Sequence, residues 1–397
     1  MKTIKLKEIL VLADSGVWGE EGSLNIDFPV LRSTNIIDFK LNLQDTAWRK
    51  LSGKDLNSKV LKDGDIIVTK SSGSPELIGK CCLFTQPQDK RKYYFSNFML
   101  RLRPNQDLAE PKWIYYWLIS ESGRQILKRI NNTTSGLRNL NIKLYLEQTI
   151  PLPPLSEQKR IVAILDKADA VRRKRQETIR LLDEFLRSMF LEMFGDPVKN
   201  EKGWEVGTIG DVTLETQYGT SKKATEEKST YPILRMNNIT YDGAWDFSSL
   251  KYIDLDEIEQ EKYLVKKGEL LFNRTNSKEL VGKTAVFRED EPMAFAGYLI
   301  KLIPNQKANS EFIAAYLNSP HGKRILLSMA KNIVGMANIN AEELKKIKII
   351  IPPVELQNQY AKIVERVLHK KKLFERSLIE MENCFNSLMQ KAFRGEL

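Results

Sequence analysis

Histidine is nearly missing from this chain, with His321 and His369 the only two in 397 residues. That excludes a multi-histidine metal site and leaves little for histidine acid-base chemistry. Cysteine is scarce too, and of the three residues Cys81, Cys82 and Cys384 two are neighbours. An odd set with two adjacent members is no disulfide framework, which fits a reducing, cytoplasmic setting. No stretch reaches the ~18 uninterrupted apolar residues of a membrane span, so no membrane association is expected. The opening MKTIKLKEILVLADSG carries Glu8 and no sustained apolar core, unlike a signal peptide. There is no GxxxxGK[ST] phosphate loop, and Gly16, Gly19 and Gly22 are spaced wrongly for a dinucleotide-binding turn. The Asn-Pro-Pro-aromatic motif of amino-methyltransferases is missing, since Pro153-Pro154 follows Leu152 and Pro352-Pro353 follows Ile351. Glu110-Pro111-Lys112 has the spacing of a nuclease Glu-x-Lys pair, but its proline does not suit a catalytic strand edge. It reads better as the capped start of a helix at Trp113. These absences describe a chain with no catalytic or metal residues and no cofactor of its own.

What is abundant is positive charge. Lys and Arg number 62 against 51 Asp and Glu, a net charge of +11 with a pI near 9.2. Such an excess favours a polyanionic partner, because neutralising phosphates releases counterions, although a soluble basic protein would share it.

The chain also says the same thing twice. PVLRSTNI (Pro29 to Ile36) returns as PILRMNNI (Pro232 to Ile239), and DGDIIV (Asp63 to Val68) as KGELLF (Lys267 to Phe272). Gly79-Lys80 returns as Gly282-Lys283, FMLRLRPNQ (Phe98 to Gln106) as YLIKLIPNQ (Tyr298 to Gln306), and SGLRNLN (Ser135 to Asn141) as VGMANIN (Val334 to Asn340). IPLPPLSEQKRIVAIL (Ile150 to Leu165) comes back as IIIPPVELQNQYAKIV (Ile349 to Val364). So long a period means two copies of a domain, each followed by the same appendage.

That appendage is a long helix. From Ser156 to Phe194 there is neither proline nor glycine, and a heptad seam runs Ile161, Leu165, Ala168, Arg172, Arg175, Ile179, Leu182, Leu186, Met189, Met193. Ser156 is placed to cap its start and Gly195 to stop it. The second seam, Tyr360 through Val364, Val367, Lys371, Phe374 and onward to Ala392, occupies the same registers. At 1.5 Å per residue each helix is ~55–60 Å long. With Gly195 to Trp204 as a short link and Pro352-Pro353 opening the second helix, the only short-linked return is antiparallel. The expected architecture is a pseudo-twofold dumbbell: two homologous α+β domains with small twisted sheets, separated by an antiparallel coiled coil. Arg172, Arg175 and Lys371 then fall where like charges meet at mid-rod, a register device.

Within each copy, strands are expected at Asp65 to Val68, Cys81 to Phe84 and Phe98 to Leu102, and at Glu269 to Phe272, Thr284 to Phe287 and Tyr298 to Leu302. Helices are expected at Trp113 to Ser120 with Gly123 to Arg129, and at Glu311 to Leu317 with Gly322 to Lys331. Between them lie the polar loops Thr69 to Glu76 and Asn131 to Asn139, matched by Asn273 to Glu279 and Lys331 to Asn338. Their Arg, Asn, Ser and Thr suit base edges and phosphates, and equally suit ordinary turns. The copies agree in the frame and differ in these loops, as two domains gripping two different targets of one kind would.

The paired domains, the Pro-Pro-x-x-x-Gln start at Pro153, Pro154 and Gln158, its repetition at Pro352, Pro353 and Gln357, and the ending KAFRGEL (Lys391 to Leu397) resemble the specificity subunit of type I restriction-modification systems. Leu356 departs from the pattern, standing where Glu157 precedes the first glutamine. The resemblance covers the whole chain and implies four segments: target recognition domains at 1–152 and 196–351, and long helices at 153–195 and 352–397. It implies that each domain reads one half of a split, asymmetric double-stranded DNA site and that the rod sets the gap. It further implies two modification subunits bringing S-adenosylmethionine, and restriction subunits bringing ATP and Mg, with this chain itself non-catalytic. The residues expected on DNA are Arg32, Asn35, Lys70, Ser71, Thr133, Thr134, Arg138 and Asn139 in the first domain. In the second they are Arg235, Asn237, Asn238, Arg274, Asn276, Lys278, Lys331 and Asn338. The alternative is a coiled-coil scaffold whose end domains bind proteins, distinguishable by its lack of a steep salt dependence.

Overall fold

The computed structural model describes residues 1–24, 26–53, 56–130, 138–333 and 336–397, and their side chains except at 75, 138 and 331–333. It divides into two compact units: Met1–Gln176 with Arg376–Leu397, and Glu177–Glu375. Both divisions fall inside the long helices, Leu155–Phe194 and Val354–Arg394.

In the first unit the apolar runs form a four-stranded antiparallel sheet in the order Cys81–Leu83, Ile66–Thr69, Met99–Pro104, Leu10–Ser15. These runs lack the polar alternation of a half-exposed strand because both faces of the sheet are covered. Ile66, Val68, Leu100 and Leu102 enter a core with Leu6, Ile9 and the helix Pro111–Ile119, while Ile67, Cys82 and Met99 enter a second core with Leu31, Phe84 and Phe95. The strand period of two sorts neighbouring apolar residues into two different interiors. Over the second core lies another sheet, ordered Tyr94–Phe95, Phe28–Leu31, Ala47–Lys50, Glu20–Glu21, whose first pair is parallel. The second unit repeats the plan. Thr213–Tyr218, Leu299–Pro304, Leu270–Asn273 and Thr284–Val286 form its central sheet. Leu270 and Phe272 face the helix-side core, and Leu271 faces a core with Leu234, Phe287 and Phe295.

Repeated sequence signatures become repeated devices. The approach to the central strand is a glycine turn closed by an acid: Asp65 Oδ2 accepts from the Lys62 amide at 2.8 Å, and Glu269 Oε2 accepts from the Lys266 amide at 2.8 Å. Gly79 (φ +73°) and Gly282 (φ +82°) need left-handed backbone, and a Cβ at either would lie 2.2 Å from Leu127 Cδ2 or 2.7 Å from Leu326 Cδ1. Arg101 and Lys301, at matching strand positions, are buried on the second-core face. Arg101 makes a bidentate pair with Asp14 at 2.9 Å and 2.9 Å, whereas Lys301 donates to the Leu264 carbonyl at 3.0 Å.

The glutamine of the Pro-Pro-x-x-x-Gln motif has a structural reason in each unit. Gln158, wholly buried, donates to the Leu108 and Pro153 carbonyls and accepts from the Glu110 amide. Gln357, also wholly buried, donates to Lys307 and Pro352 and accepts from Asn309. The side chain ties the first turn of the long helix to the start of the domain helix, Pro111–Ile119 or Ser310–Asn318.

Within each unit the two long helices run antiparallel. In the first unit Arg160 Nη2 donates to the Leu397 carbonyl at 2.7 Å, and Ile161 and Leu165 join Phe385, Met389 and Phe393 in the helix-side core. In the second, Phe190 and Phe194 meet Tyr360 at ring distances of 5.8 Å and 5.5 Å. Three expectations are corrected. The first long helix begins at Leu155, with the Glu157 and Gln158 amides donating to the Pro154 carbonyl, so Ser156 sits inside the first turn and caps nothing. Arg172 and Lys371 meet carboxylates: Arg172 pairs with Asp169 at 2.6 Å and Glu382 at 3.8 Å and lies 5.2 Å from the Phe385 ring, while Lys371 pairs with Asp183 at 2.6 Å. The helix expected to run to Lys331 ends at Met329, because Lys331–Ile333 pairs as a strand with Met336–Asn338.

Candidate nucleic-acid interface

Both repeats bring two of their polar loops together edge to edge. In the first, Ser71–Ser72 pairs antiparallel with Arg138–Asn139, placing Ser71 opposite Asn139, and the Ser71 hydroxyl donates to Asn139 Oδ1 at 2.5 Å. In the second, Thr275–Asn276 pairs with Met336–Asn338, placing Thr275 opposite Asn338, and the Thr275 hydroxyl donates to Asn338 Oδ1 at 3.1 Å. A hydroxyl on one strand and an asparagine on the other thus recur in residues far apart in sequence.

The residue before each hydroxyl is a cation whose backbone is held from both sides. The Lys70 amide donates to the Phe98 carbonyl at 2.9 Å, and its carbonyl accepts from Leu140 at 2.7 Å. The Arg274 amide donates to Tyr298 at 3.0 Å, and its carbonyl accepts from Ile339 at 2.9 Å. Phe98 and Tyr298, which supply those carbonyls, are each 50% exposed. The side chains differ. Lys70 Nζ donates to Ser15 Oγ at 2.8 Å, whereas the Arg274 guanidinium lies 4.8 Å from the centre of the Tyr218 ring. Among the described residues neither cation pairs with a carboxylate, and each frame carries a half-exposed aromatic residue, which suits a ligand that combines phosphates with flat bases.

Other expected contact residues have other work. Asn35 and Asn238 are 1% exposed, and their side chains close a turn. Asn35 accepts from the Arg32 amide and donates to the Asn42 and Asp45 carbonyls; Asn238 accepts from the Arg235 amide and donates to Asp246 and Ser249. With both amide atoms bonded and covered, these asparagines have nothing left for a base edge, and their expected contact role is corrected to that of turn staples. Arg32 and Arg235 brace the same turns, through the Asp45 carbonyl and carboxylate at 2.9 Å and the Ser249 carbonyl at 2.9 Å. In the second unit Lys283, 5% exposed, closes the turn from beneath by donating to the Met236 and Ile239 carbonyls, and burial pushes its pKa down. Asn237 and Lys278 are exposed, and Asn276 Oδ1 accepts from the Ser277 amide at 2.9 Å. Thr133 and Thr134 lie outside the described residues, and Arg138 and Lys331 are described in their backbone alone.

Sequence reasoning missed Ser15, Tyr218, Phe98 and Tyr298. A signal existed for the first two. Gly16 and Gly219 follow them at matching places, and a Cβ there would lie 1.9 Å from the Phe95 oxygen or 2.3 Å from the Ala296 oxygen. Among the described residues no three His, Cys, Asp or Glu side chains gather as a metal site, and no helix is long and apolar enough to cross a membrane.

A family model described as the type I restriction modification DNA specificity domain matches residues 2–181 and again 201–383. The specificity subunit of the type I restriction enzyme EcoKI from Escherichia coli (strain K12) is 25% identical over 392 residues, covering 93% of this chain and 82% of that protein. The specificity subunit of StySPI from Salmonella potsdam is 24% identical over 389 residues, again covering 93% of this chain and 82% of the relative. The crystal structure of a type I restriction-modification S subunit from M. genitalium superposes with a TM-score of 0.58 at 15% identity, covering 99% of this chain and 96% of that one. A chain from a solved type I R-M system gives a TM-score of 0.54 at 19% identity over 100% of this chain and 98% of its own.

Proposed function

Because this chain belongs to the type I restriction-modification DNA specificity family, we propose that its two repeats read the two unlike halves of one split duplex DNA site. The chain is a DNA-sequence-specificity subunit, the non-catalytic member of a type I system, and it assembles with other subunits of that system. The single observation that carries the reading is the repeated strand pair: a matching backbone frame presents Lys70, Ser71 and Asn139 in one copy and Arg274, Thr275 and Asn338 in the other. Same frame with different side chains is what two different DNA words require. The net charge of +11 supplies the sequence-independent attraction to phosphates.

The domains extend over 1–152 and 196–351 in this reading, and the helical segments 153–195 and 352–397 set the spacer between the half-sites. Two modification subunits dock on those helices, carrying S-adenosylmethionine and methylating adenine, and restriction subunits carry ATP and Mg. Mapping methylated positions in cells that express this gene with its neighbours tests the reading. The expected motif is two unlike words at a fixed separation, with Lys70→Ala relaxing one word and Arg274→Ala the other. A single uninterrupted word, or variants that relax the sequence preference of both words alike, would refute it. Adding one heptad at matched positions in both helices is expected to lengthen the spacer and leave each word intact.

A further inference from the structure

We propose that Arg274 reads the edge of a guanine in its half-site, and that Tyr218, a residue outside the motif, is the positioning residue that aims it. The proposal rests on the DNA-reading role of the repeated strand pair and deepens it. Arg274 is constrained in three independent ways. Its backbone is hydrogen-bonded on both sides, to Tyr298 and Ile339. Its guanidinium lies over the Tyr218 ring at 4.8 Å, and that ring is itself tethered, the Tyr218 hydroxyl accepting from the Ala341 amide at 2.9 Å. Its Nε is buried and has no hydrogen-bond partner among the described residues.

With one face covered and Nε sealed, the donors left are those of the two terminal nitrogens, which lie in one plane at the end of the side chain. Two coplanar donors match the O6 and N7 acceptors that guanine alone presents in the major groove. A phosphate also accepts this fork but is served as well by the point charge of a lysine, so replacing Arg274 by lysine separates the two ligands. No carboxylate pairs with Arg274 among the described residues, whereas Arg288 in the same unit is held by Glu311 at 2.6 Å and Arg187 by Asp242 at 2.9 Å. The first repeat has a different device at the same frame position: the ammonium of Lys70 on the small hydroxyl of Ser15. The two half-sites are therefore met at this position by different donors, a single ammonium in one and a planar fork in the other.

The test is selection of bound duplexes from a randomised pool by the assembled complex of this chain with its co-expressed subunits. Arg274→Lys is expected to lose about 5- to 150-fold of the preference for guanine at one position of one word. Tyr218→Leu is expected to relax that same position and no other, and Tyr218→Phe, which keeps the ring but loses its tether to the Ala341 amide, to relax it less. An unchanged thermal midpoint for Tyr218→Leu separates positioning from folding. If Arg274→Lys weakens all sequences evenly, or leaves binding as it was while Arg274→Ala weakens it evenly, the residue is a phosphate clamp and the guanine assignment fails while the reading of the repeats stands. If Tyr218→Leu leaves that position sharp, the positioning role fails. If Arg274→Ala changes neither word nor affinity, the strand pair is not the DNA-reading site at all.

Discussion

Replacing Gln357 by leucine keeps roughly the volume of the side chain and removes its amide, which isolates the hydrogen-bonding role of the repeated motif. The wild-type amide donates to the Lys307 carbonyl at 3.0 Å and the Pro352 carbonyl at 2.8 Å, and accepts from the Asn309 amide at 2.9 Å. Gln357 is wholly buried and its bond to Pro352 with it, while the bonds to Lys307 and Asn309 are partly covered. An unsatisfied buried polar group costs about 1–3 kcal/mol, and the two partly covered partners regain some of that from water, so a loss of ~2–4 kcal/mol is expected. The chain has two compact units, which makes one global unfolding curve a poor readout. Peptide-resolved hydrogen exchange is the better assay. Gln357→Leu should raise exchange in the helix Ser310–Asn318 and the first turns of the second long helix, and Gln158→Leu should do the same for Pro111–Ile119 in its own unit. A loss below ~1 kcal/mol for both variants would refute the claim that the glutamine clasps domain to helix, and would reduce the motif to a helix start.

Three further outcomes are expected. Gly79→Ala and Gly282→Ala should each destabilise their unit by at least ~1–3 kcal/mol, measured by hydrogen exchange of that unit's peptides, because the new methyl meets Leu127 or Leu326 at a positive φ. Arg101→Met should lower the stability of the first unit by ~2–4 kcal/mol, since it removes the bidentate pair with Asp14 in an interior where Arg101 is wholly buried, while Lys59 at 2.7 Å still pairs with Asp14. Lys323, whose Nζ donates to the Tyr241 carbonyl at 3.1 Å, has its pKa pushed down to about 8 by burial, with the charge of Lys283 adding to the effect and Asp242 opposing it. The folded chain then binds fewer protons than the unfolded chain between pH about 8 and about 10.4, so this lysine makes stability rise with pH across that window. Thermal melts over that range should show a shallower rise for Lys323→Met, and an unchanged slope would refute the assignment.

Much of the scaffold was legible because its signals are local. A run such as Ile66 to Val68, bounded by a glycine turn and followed by polar residues, reads as a strand wherever it packs. The helix that begins at Leu155 was legible to within one residue from its proline start and its uninterrupted seam. The contact residues were not legible to the same degree. Asn35 and Asn139 look alike in sequence, as polar residues among turn formers. One closes a buried turn through carbonyls up to ten residues away, and the other stands exposed on a strand opposite Ser71. Phe98 and Tyr298 read as first residues of buried strands, yet each lies just before its strand and is half exposed.

The sequence by itself determined the duplication, the alternation of small α+β domains with long helices, and the positive charge, because repetition, periodicity and composition survive without knowledge of contacts. Only the tertiary structure decided what each repeated polar residue does. The partners of Gln158 lie as far as 50 residues away, Ser71 finds Asn139 across 68, and Ala341 finds the Tyr218 hydroxyl across 123. A hydrogen-bonding side chain acquires a role from the groups around it, and those groups are gathered by folding and not by order along the chain.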